Sequence, residues 1–249
     1  MPIRTNVADR IGEIILDHPP VNALDSAGWN ELPDLIAATA AREDVRCILI
    51  RAEGKGFCGG VDIKEMQAHP ERITTLNHGN FRTVREIHRC PLPVVSAAHG
   101  FIIGGGVNIV GASDVVIAAE GAYLSLPEID RGAMGGASFL GRMAPVQKVR
   151  AAFFTGGQIR VEDLHAYGSV EKVVSSTSLL AEARAFCATI AAKSRKALVL
   201  AKEALTQLEP RDPVLGYRWE QGFTLEMYLH EDSQKARDAF VEAKSKADF

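Results

Sequence analysis

The sequence predicts an α/β protein that ends in an all-helical region, and two observations carry that prediction. Short β-type runs (GEIILDH, RCILIRAE, PVVSAAHG and DVVIAAE) alternate with longer stretches of helical period up to about residue 155. From residue 178 the stretches SLLAEARAFCATIAAKS, ALVLAKEALTQLE and VLGYRWEQGFTLEMYLHEDSQKARDAFVEA favour helix, with no β run between them. With 249 residues, 47% hydrophobic and 24% charged, the chain can bury a sizeable core, and one domain with a small appendage fits its length.

The elements follow in order. GEIILDH is an aliphatic run closed by the two prolines of PPVNALD at 19–25. RCILIRAE leads into GKGFCGGVDIKEM at 54–66, a glycine-rich turn entering a helix near Ile63. PVVSAAHG leads into FIIGGGVNIV at 101–110, a second glycine loop that opens a short helix. After DVVIAAE, the segment AYLSLPEIDRGAMGG holds a β run that ends at Pro127. In the helical tail, Pro210, Pro213 and Gly216 punctuate helices, and no low-complexity linker separates the two parts. Strand, loop, helix thus recurs as a pattern of elements. It suits a coil of ββα turns or a doubly wound sheet, and periodicity does not choose between them.

Composition excludes several function classes. A formal net charge of −3 gives no broad basic surface for nucleic acid. The four cysteines (Cys47, Cys58, Cys90, Cys187) form no C-x-x-C pair and no metal-type spacing, and each lies in or beside an apolar stretch, as reduced buried thiols do. The N-terminus carries no apolar segment behind basic residues, and no window reaches the roughly 18 apolar residues of a membrane span. These features place the protein in the cytoplasm, with no metal.

The glycines carry the chemistry. From Gly104 the sixth position is Ile109, so the G-x-G-x-x-G dinucleotide fingerprint fails, and no Gly-Lys-Ser/Thr of a P-loop occurs. What remains is two loops whose backbone amides are left bare by missing side chains. N–H groups at a helix start can hold an anion or a developing oxyanion, and two such loops can aim at one point. Asp62 reads as the N-cap of the helix after the first loop, and Cys58 as a core thiol. Glu128 and Asp130, after the strand ending at Pro127, are candidate acid/base groups.

Together, PPVNALD, GFCGGVDIKEM, GFIIGGGVNIVGASDVVIAAE, LPEIDRGAMGG and FFTGGQIRVEDLHAYGSVEKVV resemble the crotonase (enoyl-CoA hydratase/isomerase) superfamily. The resemblance runs from about residue 10 to the C-terminus. It implies a ββα superhelix over residues 1–190 holding an acyl-CoA site, and a helical trimerisation region over 191–249 that forms trimers or dimers of trimers. It places the oxyanion hole on the N–H groups of Val61 and Gly105. Coenzyme A, part of the substrate rather than a resident cofactor, would enter along Val21, Ala23 and Leu24 and the turn of Gly59, Gly60, Asp62 and Ile63; Lys55 and Lys64 either meet its phosphates or are simply solvated.

Two positions depart from the family's pattern. His99 stands where an Asn is usual, and reads as a structural residue. Asn108 stands where hydratases place one of two glutamates, leaving Glu128 alone. An amide cannot take a proton at neutral pH, so two-carboxylate hydration is impaired at that point. In finer texture, GVDIKEMQ, LPEIDRGAMG and YRWEQGFTLEMYL look most like the branch that opens a ring of a bicyclic β-keto acyl-CoA in steroid degradation. There, water activated by Glu128 or Asp130 attacks a ring ketone, and the electrons leave as a thioester enolate. An ordinary enoyl-CoA hydratase or isomerase of β-oxidation, and a non-catalytic acyl-CoA-binding protein, are the alternatives.

Overall fold

The computed structural model describes residues 3–247. In chain order, β1 (Ile3–Ala8) and β2 (Ile11–Leu16) precede α1 (Ser26–Ala40), β3 (Cys47–Ala52), α2 (Ile63–Ala68) and α3 (Ile73–His88). Next come β4 (Val94–Ala98), β5 (Phe101–Ile103), α4 (Gly105–Ala112), β6 (Val115–Ala119) and β7 (Tyr123–Ser125). A 3-10 turn at Ile129–Arg131 leads to α5 (Ala137–Leu140), α6 (Val146–Thr155), β8 (Gln158–Arg160), α7 (Val161–Ala166) and β9 (Lys172–Val174). The tail is α8 (Leu179–Ala191), α9 (Arg195–Leu208), α10 (Pro213–Tyr228) and α11 (Glu231–Ala247).

Six strands form one sheet in the order β1-β2-β3-β4-β6-β9, antiparallel only between β1 and β2, while β5, β7 and β8 form a second. The four β-type runs of the sequence are adjacent strands of the large sheet. They are mostly aliphatic because both faces are covered, as parallel strands require, with Glu13 of β2 ion-paired to Arg51 of β3. On β3, Ile48 and Ile50 pack into the main core with Trp29, Leu32 and Ile36 of α1, while Cys47 and Leu49 point the other way, into a cluster with Leu179, Ala183 and Cys187 of α8.

The topology selects the coil over the doubly wound sheet. β4 turns through His99–Gly100 into β5, and β6 through Glu120–Ala122 into β7; β4 pairs with β6, and β5 pairs with β7, both parallel. Each ββα turn therefore gives one strand to each sheet and stacks on the turn before it. The earlier turns continue the stack as single parallel bridges, Leu24 to Val61 and Cys58 to Ile102. The tail is helical throughout, but only in part peripheral: α10 packs on α3 and α5, and α11 on α2 and on the 3-10 turn.

Candidate functional site

The backbone brings the two glycine loops together. Phe57 N donates to Phe101 O at 3.0 Å and Ile103 N to Cys58 O at 2.9 Å, so GFCGG runs beside β5 and both loops leave the sheet at one place. A Cβ added to Gly60 would lie 3.0 Å from Ile103 O and 3.4 Å from Gly105 N. The three consecutive glycines have separate causes. Gly104 sits at φ 57°, ψ −120°, conformational space that side chains exclude. A Cβ on Gly105 would meet the Trp29 ring at 2.4 Å, and one on Gly106 would meet Cys58 at 2.9 Å. Cys58 is a buried core thiol, pushed up to about 12 by burial.

Around this contact most amides are occupied. Gly59 N donates to Val21 O at 2.9 Å, Gly60 N to Cys58 Sγ at 3.3 Å, Asp62 N to Leu24 O at 2.9 Å, and Gly104 N to Ser125 O at 3.1 Å. The N–H groups of Val61 and Gly105 find no acceptor among the described residues. Both residues line a cavity enclosing about 780 Å³, its open mouth included. Gly105 is the first residue of α4, so the helix dipole adds to its amide.

Glu128 faces the same space. Its Oε1 lies 2.9 Å from where a Cβ of Gly104 would be, and its Oε2 is sealed from solvent and takes no hydrogen bond. Burial pushes its carboxyl up to about 8, with Glu220 adding to the rise and its own backbone amide and Arg131 opposing it. Asp130 is placed differently. It is exposed, it does not line the cavity, and its Oδ2 lies 2.7 Å from the Cβ position of Gly156. The 3-10 turn turns these two carboxylates to different sides, which corrects the expectation that either could activate water here.

Asn108, on α4, lines the cavity too; it is buried and its Oδ1 has no partner. Its amide lies by the buried Tyr217 hydroxyl, whose pKa is raised by burial and by Glu220 and Glu128, against the pull of Gln221 and Asn108. Tyr217 is thus a proton holder at neutral pH.

Of the residues expected along coenzyme A, Gly59, Gly60 and Ile63 line the cavity, while Val21, Ala23, Leu24 and Asp62 do not. Leu24 N donates to Gly60 O at 3.0 Å, and the Leu24 side chain is fully buried, so this segment backs the turn that carries the bare Val61 amide. Asp62 caps α2 through Lys64 N at 2.9 Å. Lys55 and Lys64 are exposed, and His99 binds Gly54 O through Nε2 at 3.0 Å, a structural contact. The far wall, Tyr217, Thr224, Tyr228 and Arg237, comes from α10 and α11 and was not legible in the sequence, because the face those helices bury is set by how they fold back. Among the described residues no cluster of His, Cys, Asp or Glu is arranged to hold a metal, and no helix is long and apolar enough to cross a membrane.

The profile of the enoyl-CoA hydratase/isomerase family matches residues 6–249. The chain belongs to that family. Within it, the chain is 42% identical to the (7aS)-7a-methyl-1,5-dioxo-2,3,5,6,7,7a-hexahydro-1H-indene-carboxyl-CoA hydrolase of Mycobacterium tuberculosis (strain ATCC 25618 / H37Rv), over 97% of this chain and 99% of that one. It is 40% identical to the protein of the same name from Rhodococcus jostii (strain RHA1), over 96% and 93%. A crystal structure of an enoyl-CoA hydratase/isomerase from Xanthobacter autotrophicus Py2 superposes with a TM-score of 0.85 at 24% identity, covering 98% of each chain, a likeness of fold. The crotonase-type ββα superhelix and an enzyme of coenzyme A thioesters are therefore established for this chain.

Proposed function

We propose that the protein hydrolyses a ring carbon–carbon bond of a bicyclic β-keto acyl-CoA in steroid-ring catabolism, a reading supported by its 40–42% identity to two proteins named as hydrolases of a dioxo-hexahydro-indene-carboxyl-CoA. The observation that carries the reading is a single carboxylate, Glu128, in the cavity with two unpartnered amides, Val61 and Gly105, and an amide at Asn108. The thioester oxygen accepts from both N–H groups. Glu128, ionised, takes a proton from water as the oxygen adds to the ring ketone. The tetrahedral adduct collapses, the bond from that carbon to the thioester's α-carbon breaks, and its electron pair becomes the enolate held by the two amides. Glu128 returns its proton to the α-carbon, so one water is added, one ring bond is lost and one carboxylic acid is gained. Coenzyme A enters only as part of the substrate, and the enzyme works in the cytoplasm.

The hydratase alternative makes a different demand on residue 108. Restoring a carboxylate with Asn108→Glu would raise crotonyl-CoA hydration by about 10²- to 10⁴-fold if the site were a hydratase lacking one acid/base group. We expect little gain and slower ring opening, because the new charge would face Glu128 and the enolate. Mass-spectrometric assay of both substrates decides. Crotonyl-CoA hydration by the unmodified protein at about 10 s⁻¹ or more would favour the hydratase. Binding of both esters with no turnover would favour a non-catalytic binding protein.

In this reading residues 1–190 carry the two amides and Glu128, while 191–249, expected only to oligomerise, also close the cavity through α10 and α11. Leu198 is already buried within the chain, but Leu200, Leu205, Phe223 and Leu225 are exposed, together with Trp219 at 74% and Leu229 at 83%. So much apolar area on adjacent helices supports burial against neighbouring copies. Sedimentation at micromolar concentration should show a trimer or hexamer; a clean monomer would contradict this.

A further inference from the structure

Arg237 is a cation inside the cavity with no counter-charge. It is 2% exposed, on α11, and lines the same space as Glu128 and the two bare amides. Nη1 donates to Ser233 Oγ, which in turn donates to Gly132 O, so the guanidinium is tied to the turn that carries Glu128. Nη2 donates to Gln234 Oε1 at 2.7 Å, the charge stacks 4.1 Å from the Tyr228 ring centroid, and Nε finds no acceptor. No carboxylate pairs with it among the described residues. Other deeply buried cations are paired: Lys202, 4% exposed, meets Asp114 at 2.6 Å, and Arg51 meets Glu13 at 3.0 Å. Arg131, the second cation lining the cavity, is only half-buried and stacks on the Phe240 ring. A guanidinium held out of water without an anion is costly, and its fork geometry suits a carboxylate.

We propose that Arg237 receives a carboxylate borne by the acyl group, the one that ring opening creates; this rests on the ring-opening reading. Because the broken bond lies within a ring, the new acid stays attached to the coenzyme A ester and must be housed in the cavity where it forms. Hydration and double-bond migration create no such charge, so they have no use for a buried unpaired cation. The enclosure of Arg237 also favours the acyl group over the coenzyme's phosphates. Those groups keep much of their hydration, whereas Arg237 is 2% exposed and stacked on the Tyr228 ring.

Calorimetry with the full-length protein tests this without turnover. The probes are adipyl-, pimelyl- and suberyl-CoA, each against the monocarboxylic acyl-CoA of the same chain length, and free coenzyme A. The wild-type protein should bind at least one ω-carboxy ester about tenfold or more tighter than its partner, the usual worth of a charged hydrogen bond. Arg237→Met should erase that preference and leave free coenzyme A binding unchanged. Arg237→Lys, which keeps charge but not the fork, should keep part of it, and decides alone if the Met variant does not fold. No preference in the wild type, an unchanged preference in Arg237→Met or an unchanged one in Arg237→Lys where only that variant folds, or an equal loss of free coenzyme A binding would each overturn the proposal. Failure of the bicyclic substrate to react would instead count against ring opening, since the binding preference is read independently of it.

Discussion

Glu128→Gln should lower kcat on a bicyclic β-keto acyl-CoA by about 10²- to 10⁴-fold, the usual contribution of a positioned acid/base group. Gln fills the same volume beside Gly104 and keeps a polar oxygen there, but it cannot take a proton from water or return one to the α-carbon. The pH profile gives a second reading of the same carboxyl. With its pKa near 8 in the folded enzyme, only a minority is ionised at pH 7, so kcat/KM of the wild type should rise about tenfold per pH unit below 8 and level off above. A variant within tenfold of the wild-type rate, or a profile already flat at pH 6, would remove Glu128 from the mechanism.

The same shift has a consequence for stability, with its sign fixed by linkage. The folded carboxyl holds its proton up to about pH 8, whereas the unfolded one releases it near the ordinary value of 4.5. Between those limits the folded state binds more protons, so stability declines as pH rises through the window. Gln carries no such penalty. At pH 8 the Glu128→Gln protein should therefore melt higher, by about 2–4 °C for each kcal/mol recovered in a chain of this size. A site that loses turnover while the fold gains stability is the mark of a carboxylate kept in place for its chemistry.

Which parts of this were legible in the sequence follows from where each residue gets its meaning. β2, β3, β4 and β6 were legible because strands covered on both faces are mostly aliphatic whatever surrounds them. β1 was not, because IRTNVA is an edge strand with mostly exposed polar side chains, and β8 and β9 are only three residues each. The glycine loops announced bare amides, but nothing local says that Gly60 and Gly105 meet; that depends on GFCGG running beside β5. Glu128 and Asp130 are two residues apart and chemically alike, and only the 3-10 turn separates them. Tyr217 and Arg237 read as ordinary helix residues, since the face of α10 or α11 that closes the cavity is chosen by packing on α2, α3 and the 128–132 turn.

The second large effect concerns the amides of Val61 and Gly105, which we propose hold the oxyanion, and the structure says which should be removed. Gly105→Pro deletes the right N–H, but its ring would be driven into Trp29, whose atoms lie 2.4 Å from the Cβ position, so lost activity would be confounded with lost packing. Val61→Pro is cleaner. Val61 already has a side chain, and it sits in a parallel bridge where the bonds to Leu24 are made by Gly60 O and Asp62 N. Proline there breaks no bond of the bridge. The preceding residue, Gly60, is a glycine at φ 86°, outside the αR region that proline forbids before it. The expected result is a kcat lower by about 10²- to 10³-fold, equivalent to about 3–4 kcal/mol of transition-state stabilisation, with an unchanged circular dichroism spectrum. Val61→Ala, which keeps the amide, should stay within a few-fold of wild type. The loss should fall on kcat more than on KM, because the N–H is worth most to the enolate, where the thioester oxygen carries its charge, and less to the neutral ground state. A folded Val61→Pro enzyme turning over at the wild-type rate would mean that the enolate is held elsewhere in the cavity, and the paired glycine loops would then need another purpose.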